Sequence, residues 1–104
     1  MLSYDTAVVG ATPSGVMAAV HAARSGQKTC LVALNDHLGG MMASGLSVTD
    51  TLLSPQKVRS SLLCEFFDRV STHYREAYEK SSEQYRTCNE GLFFEPHVAE
   101  AVFE

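Results

Sequence analysis

The segment Thr6-Ala7-Val8-Val9-Gly10-Ala11-Thr12-Pro13-Ser14-Gly15 changes character abruptly at its middle. Thr6 to Val9 are apolar or β-prone, and the run stops at Gly10. A short continuous apolar stretch bounded by glycine predicts a strand buried on both faces, as in parallel sheets. Beyond the glycine, Thr12 is a helix-capping residue. Pro13 suits the first helical position, where its missing N–H costs nothing. Val16, Ala19, Val20 and Ala23 then recur at helical spacing. They form a face of small side chains that lets a helix lie close on a sheet. Gly26 is a stop signal, and Thr29-Cys30-Leu31-Val32-Ala33 reads as a second strand. Strand, tight turn, helix and strand make residues 4–34 a βαβ unit of the α/β, Rossmann-like class.

The turn between strand and helix carries chemistry. A helix N-terminus offers backbone N–H groups without intrahelical partners, together with a partial positive charge. A diphosphate supplies the matching acceptors and negative charge. Gly10 permits the tight turn and Gly15 the close packing of helix on strand, as in the G-x-G-x-x-G loop of dinucleotide sites. Thr12 stands where that pattern has its middle glycine; its side chain limits close approach, although its hydroxyl can bond a phosphate oxygen. Gly10, Ala11, Thr12, Pro13, Ser14 and Gly15 are therefore the candidate phosphate-binding residues. The competing reading is a plain strand-to-helix turn in which glycine only permits the backbone angles. Dinucleotide sites also place an acid at the end of the second strand, to hold ribose hydroxyls. That position falls at Ala33, and Asn35 or Asp36 just beyond is the available substitute; Asp36 reads equally as a solvated loop residue.

Residues 35–54 read as loop, with glycines at 39, 40 and 45 and little periodicity. A stretch of that length without structure is unusual in a compact domain unless it binds something. Ser54-Pro55 opens an amphipathic helical segment over residues 55–80, with Val58, Leu62, Phe66, Val70 and Tyr74 as its stripe. Leu63, Phe67, Ala77 and Tyr78 broaden the stripe. A helix of that length is too much for this chain to cover, so the aromatic face is expected to await a partner. Ser81 to Asn89 reads as loop, containing Cys88. Glu95-Pro96 begins a further helix over residues 96–104, with Val98, Ala101 and Val102 on one side.

Composition narrows the function classes. The 104 residues are 45% hydrophobic and 19% charged, ordinary for a globular domain. The net charge is −4 and the eight Lys and Arg residues are scattered, which excludes the basic footprint of a nucleic-acid binder. No window approaches the roughly 18 apolar residues of a membrane span. No basic n-region precedes an apolar run, so a signal peptide is not expected. Cys30, Cys64 and Cys88 stand far apart, as reduced thiols of a cytoplasmic protein do. His21, His37, His73 and His97 show no metal-ligand spacing, and His37 stands out only because it precedes Gly39-Gly40.

Residues 4–15, followed by Asp36-His37-Leu38-Gly39-Gly40-Met41-Met42-Ala43-Ser44-Gly45-Leu46, resemble the N-terminus of FAD-dependent oxidoreductases. The branch most resembled is the one related to the flavin subunit of heterodisulfide reductase, where Thr-Pro in the phosphate loop is a known variant. Glu65 to Val70 and Phe94 to Glu100 also look like segments of the family, so the resemblance spans essentially the whole chain. It implies that Gly10, Thr12, Pro13 and Gly15 contact the FAD pyrophosphate. By the same resemblance Gly39 and Gly40 line the ribityl or phosphate side, and the segment from Met41 to Gly45 approaches the flavin. The family normally has Glu where this chain has Ala33. Relatives are several times longer, so the chain is expected to be a truncated FAD-binding portion lacking a third strand and a substrate domain. A missing domain or partner subunit would then complete it around an unknown small-molecule substrate. Some relatives bind a [4Fe-4S] cluster, for which no cysteine grouping is visible here. Two alternatives remain: a nucleotide-binding module without turnover, and an NAD-type Rossmann fragment. The Gly39-Gly40 loop favours FAD over the latter, and no residue stands out as a catalytic acid or base.

Overall fold

A computed structural model describes residues 1–49 and 60–104. The first strand, β1, spans Thr6–Val9, and the second, β2, spans Thr29–Val32. They pair in parallel, Thr6 opposite Thr29 through Val9 opposite Val32. The helix between them, α1, covers Pro13–Arg24 and buries Val16 and Ala19. Thr12 caps it as expected: its hydroxyl accepts a hydrogen bond from the Gly15 N–H at 3.2 Å. The βαβ unit is therefore present. The expectation that β1 is covered on both faces fails, because helix covers only one side. Thr6 and Val8 face inward, while Ala7 is exposed and Val9 is 74% exposed.

The loop expected over residues 35–54 holds a one-turn helix, α2, at Gly40–Ala43; residues 50–54 lie outside the described residues. The long helix, α3, spans Ser61–Ala77, shorter than the expected 55–80. Its beginning is set by Ser60, whose backbone is extended and whose hydroxyl accepts from the Leu63 N–H. Residues 55–59, including Val58 of the expected stripe, lie outside the described residues. Ser81 to Asn89 is not plain loop. Ser82 caps a short helix, α4, at Glu83–Thr87, which leads into a 3-10 turn at Asn89–Gly91. The last helix, α5, spans Pro96–Phe103 and buries Val98 and Ala99 rather than Ala101.

The aromatic stripe of α3 finds its partner inside the chain. Phe66, Phe67, Val70 and Tyr74 form one cluster with Cys88, Leu92, Phe94, Val98 and Ala99. Phe66 meets Phe94 edge to face at 5.6 Å and stacks on Phe103 at 4.9 Å. Tyr78, at the far end of the stripe, stays exposed beside Tyr74. The shorter helix needs less cover, and the segment after α4 supplies it. Cys88, expected in an open loop, caps α4 and is only 2% exposed, a small apolar filler. Tyr74 adds a polar lock: its hydroxyl donates to Glu95 Oε2 at 3.1 Å and accepts from the Glu95 N–H at 2.9 Å. Burial, with the Glu95 carboxylate nearby, pushes this phenol up to about 12, so it stays a donor at any physiological pH.

Outside the core, one ion cluster joins the βαβ unit to the helices. Arg24 of α1 grips Glu65 of α3 through two bonds of 2.7 and 2.9 Å, and Arg69 bonds Glu65 from the next turn at 2.9 Å. The Arg24 guanidinium first, then Arg69, holds the Glu65 carboxyl at about 2.

Phe67→Ala should cost about 3–5 kcal/mol, because it empties a fully enclosed site. Asp68→Ala on the exposed face should change stability by no more than about 0.5 kcal/mol. Denaturant titration of both variants checks this. Glu65 has a folded pKa below its ordinary 4.5, so its contribution is complete above that value and disappears as pH falls through about 2. The stability gap between the wild type and Glu65→Gln should therefore close between those two values, and close further in high salt.

Candidate cofactor site

Both strands run in parallel, so the loops that follow them emerge on the same, carboxyl edge of the sheet. The Gly10 N–H donates to the Val32 carbonyl at 2.8 Å, carrying the pairing one residue past β1 and into the turn. Gly10 then turns with φ at 102°, where a side chain would strain the backbone. Gly15 is required for a different reason. A Cβ placed there would stand 1.9 Å from the Gly10 carbonyl oxygen, inside backbone rather than beside a movable side chain. The helix start therefore rests directly on the strand end.

Among the described residues, the amides of Ala11, Thr12 and Ser14 have no acceptor within the chain. These are the donors that a helix N-terminus directs outward. The Thr12 hydroxyl is engaged by the Gly15 N–H as the helix cap.

The second glycine pair docks on the first loop. The Gly39 N–H donates to the Ala11 carbonyl at 2.8 Å. A Cβ on Gly40 would lie 3.3 Å from Pro13 Cδ and 3.4 Å from Thr12 Cα. On the other side, a Cβ on Gly39 would meet the Phe103 ring at 2.5 Å. Gly39-Gly40 thus lies between the Gly10–Gly15 turn and α5, where a side chain on Gly39 would displace the Phe103 ring and one on Gly40 would crowd Thr12 and Pro13.

Between the loops lies a crevice of about 140 Å³. Gly10, Ala11 and Thr12 after β1 form one wall, and Leu34, Asn35 and His37 after β2 form the other. Gly40 and Ser44 close it from the side. Asn35 borders the crevice, but its side-chain oxygen accepts from the His37 N–H at 3.1 Å. Asp36 is exposed and does not border it. Of the two methionines, Met42 packs against the aromatic core, and Met41 is 74% exposed. Gly45 sits in open space with φ at 136°, away from the crevice walls. The structure thus gathers Gly10 to Gly15, Asn35, Gly39 and Gly40 in one place. Asp36, Met41 and Gly45 lie at its periphery.

Sequence reasoning missed one pair. His37 Nδ1 lies 2.7 Å from Glu100 Oε1 of α5. The only sequence signal was the position of His37 before two glycines, since Glu100 lies far along the chain. Among the described residues, no group of three His, Cys, Asp or Glu side chains could hold a metal ion. None of the described helices is long and apolar enough to cross a membrane.

A family model for FAD dependent oxidoreductases matches residues 5–104. The chain belongs to this family. The matched span fits the FAD-binding portion of a flavin-dependent oxidoreductase, and the family implies FAD as the cofactor. No curated protein and no solved structure matches the chain. At the crevice, the ends of two parallel strands, three amides without an acceptor among the described residues and two glycine-containing loops in backbone contact come together.

In this member of the FAD-dependent oxidoreductase family, Thr12→Ala should cost about 1 kcal/mol through loss of the cap. Gly15→Ala should cost more, at least about 2 kcal/mol, because backbone must move to admit the methyl group. Unfolding curves of the two variants, with the order of loss as the criterion, check this.

Proposed function

We propose that this chain binds the diphosphate of FAD with the amides of the Gly10–Gly15 turn, as the nucleotide-binding part of an oxidoreductase acting on a small molecule. The observation that carries the reading is the set of unpartnered amides of Ala11, Thr12 and Ser14 at the carboxyl edge of the parallel strands. In this reading Pro13 and Gly15 shape the turn, and Gly39 and Gly40 let the cofactor pass close to backbone. Asn35, at the crevice wall, is the better placed substitute for the acid missing at Ala33, through its amide N–H₂; Asp36 would reach the ribose only from outside the crevice. Met41 and Gly45 would lie toward the flavin end, where the exposed thioether of Met41 offers an apolar edge.

When bound, FAD would supply the redox chemistry through its isoalloxazine ring, and the protein would bind and orient it. Membership of the branch related to the flavin subunit of heterodisulfide reductase is proposed on the Thr12-Pro13 variant of the loop. A cytoplasmic location is proposed on the dispersed cysteines, of which Cys30 and Cys88 are free thiols.

A second reading is favoured by the open sheet. Val9, Val32 and Leu34 are 74%, 41% and 90% exposed at the end of the sheet that carries the crevice. A two-stranded sheet is marginal without further cover. The chain would then hold FAD firmly only when another segment or subunit lies over those residues.

Both readings make the same first expectation for the 104-residue chain. It should bind FAD weakly and lose it during purification, so no flavin absorbance should accompany the pure protein. Millimolar FAD or ADP should nevertheless shift the amide resonances of Ala11, Thr12, Ser14 and Gly39–Gly40 in a ¹⁵N spectrum. Unmoved amides at those positions, with shifts elsewhere or none, would remove the phosphate-loop assignment. Tight stoichiometric flavin would instead remove the need for added cover.

A further inference from the structure

The crevice has an electrostatic gap that the glycine loops leave unfilled. A diphosphate brings two negative charges, and a helix N-terminus offers only about half a positive charge. Of the eight residues bordering the crevice, His37 is the only one whose side chain can carry a positive charge. We propose that His37, oriented by Glu100, is a direct ligand of the cofactor diphosphate. The inference rests on the reading that the crevice is the diphosphate site.

Three observations support it. First, Glu100 Oε1 holds His37 Nδ1 at 2.7 Å, which keeps a proton on that nitrogen and leaves Nε2 for a second partner. A protonated ring donates from both nitrogens. Glu100 is largely covered and does not border the crevice, so its charge sits behind the ring rather than before the phosphates.

Second, the pair is not needed to fasten the loop. Gly39 already donates to the Ala11 carbonyl and packs against Phe103. With the imidazole 71% exposed, a pair of this kind is screened by water and adds little to folding. A purely structural role leaves the location at the crevice mouth without a reason.

Third, the turn that carries the ring is itself held. The His37 N–H is bound by Asn35 Oδ1, which fixes the turn from which the side chain projects. Asp36, the other charged group beside it, is exposed and lies outside the crevice wall.

The test uses the full chain, uniformly labelled with ¹⁵N, and FAD as the probe. Adding FAD should move the His37 Nε2 resonance in step with the amides of Ala11, Thr12 and Ser14. His37→Ala should weaken FAD binding about tenfold, the scale of one charge-assisted hydrogen bond, while those amides still respond. Glu100→Gln should weaken it by less and should shift Nε2 in the unliganded chain. Amides that respond while Nε2 stays still would overturn the role of His37 and leave the phosphate loop standing. If neither responds, the phosphate-loop reading and this inference fall together. The Nε2 measurement on the wild type does not depend on any variant folding.

Discussion

Backbone resting on backbone at Gly15 is the constraint behind the whole site. The strand end and the helix start approach so closely that even a methyl group would overlap the Gly10 carbonyl. This contact sets the start of α1 at the end of β1 and turns its first amides outward. The capping bond from Gly15 to Thr12 then holds the turn in place without using the outward donors.

The same device recurs at the second glycine pair, with the helical part of the chain as its support. Phe103 presses on Gly39 from α5, and Phe66 of α3 stacks on Phe103. The aromatic core is thus continuous with the Gly39-Gly40 loop. Tyr74 strengthens this line by binding both the backbone and the carboxylate of Glu95, where α5 begins. On the outer side, Arg24 and Glu65 tie α1 to α3, so both walls of the crevice are referred to the same helix. The helices therefore act as a buttress for the loops around the crevice. Their surface electrostatics contribute less, since those charges remain in contact with water.

Local signals were readable where they acted over a few residues. Gly10, Thr12, Pro13 and Gly15 specify strand end, cap and helix start through backbone angles and nearby hydrogen bonds alone. Ser82 was a comparable signal and went unread, because polar Ser81 to Asn89 masks a single helical turn. The start expected at Ser54-Pro55 lies outside the described residues, and Ser60, whose hydroxyl caps α3, was a second start signal that apolar periodicity does not reveal. Cover over β1 was overestimated, since an apolar run tells what a strand tolerates on its faces and not what is present to cover them. Whether Met41 or Met42 turned inward depended on the orientation of one short helix, which carries no periodicity of its own.

The amino-acid order alone was enough to specify the βαβ unit, the capped turn with its outward amides, and the two glycine pairs. Each depends on interactions within a few residues or on one stretch of helical or strand period. Folding in three dimensions settled which surfaces meet: Gly39 against Ala11 and Phe103, Asn35 inside the crevice with Asp36 outside it, and His37 against Glu100. Those outcomes depend on how α5 returns across the βαβ unit after packing on α3. That return is set by burial of Phe66, Phe67, Val98 and Ala99, an apolar effect without direction along the chain. Position in sequence therefore does not encode it, and only the packed core does.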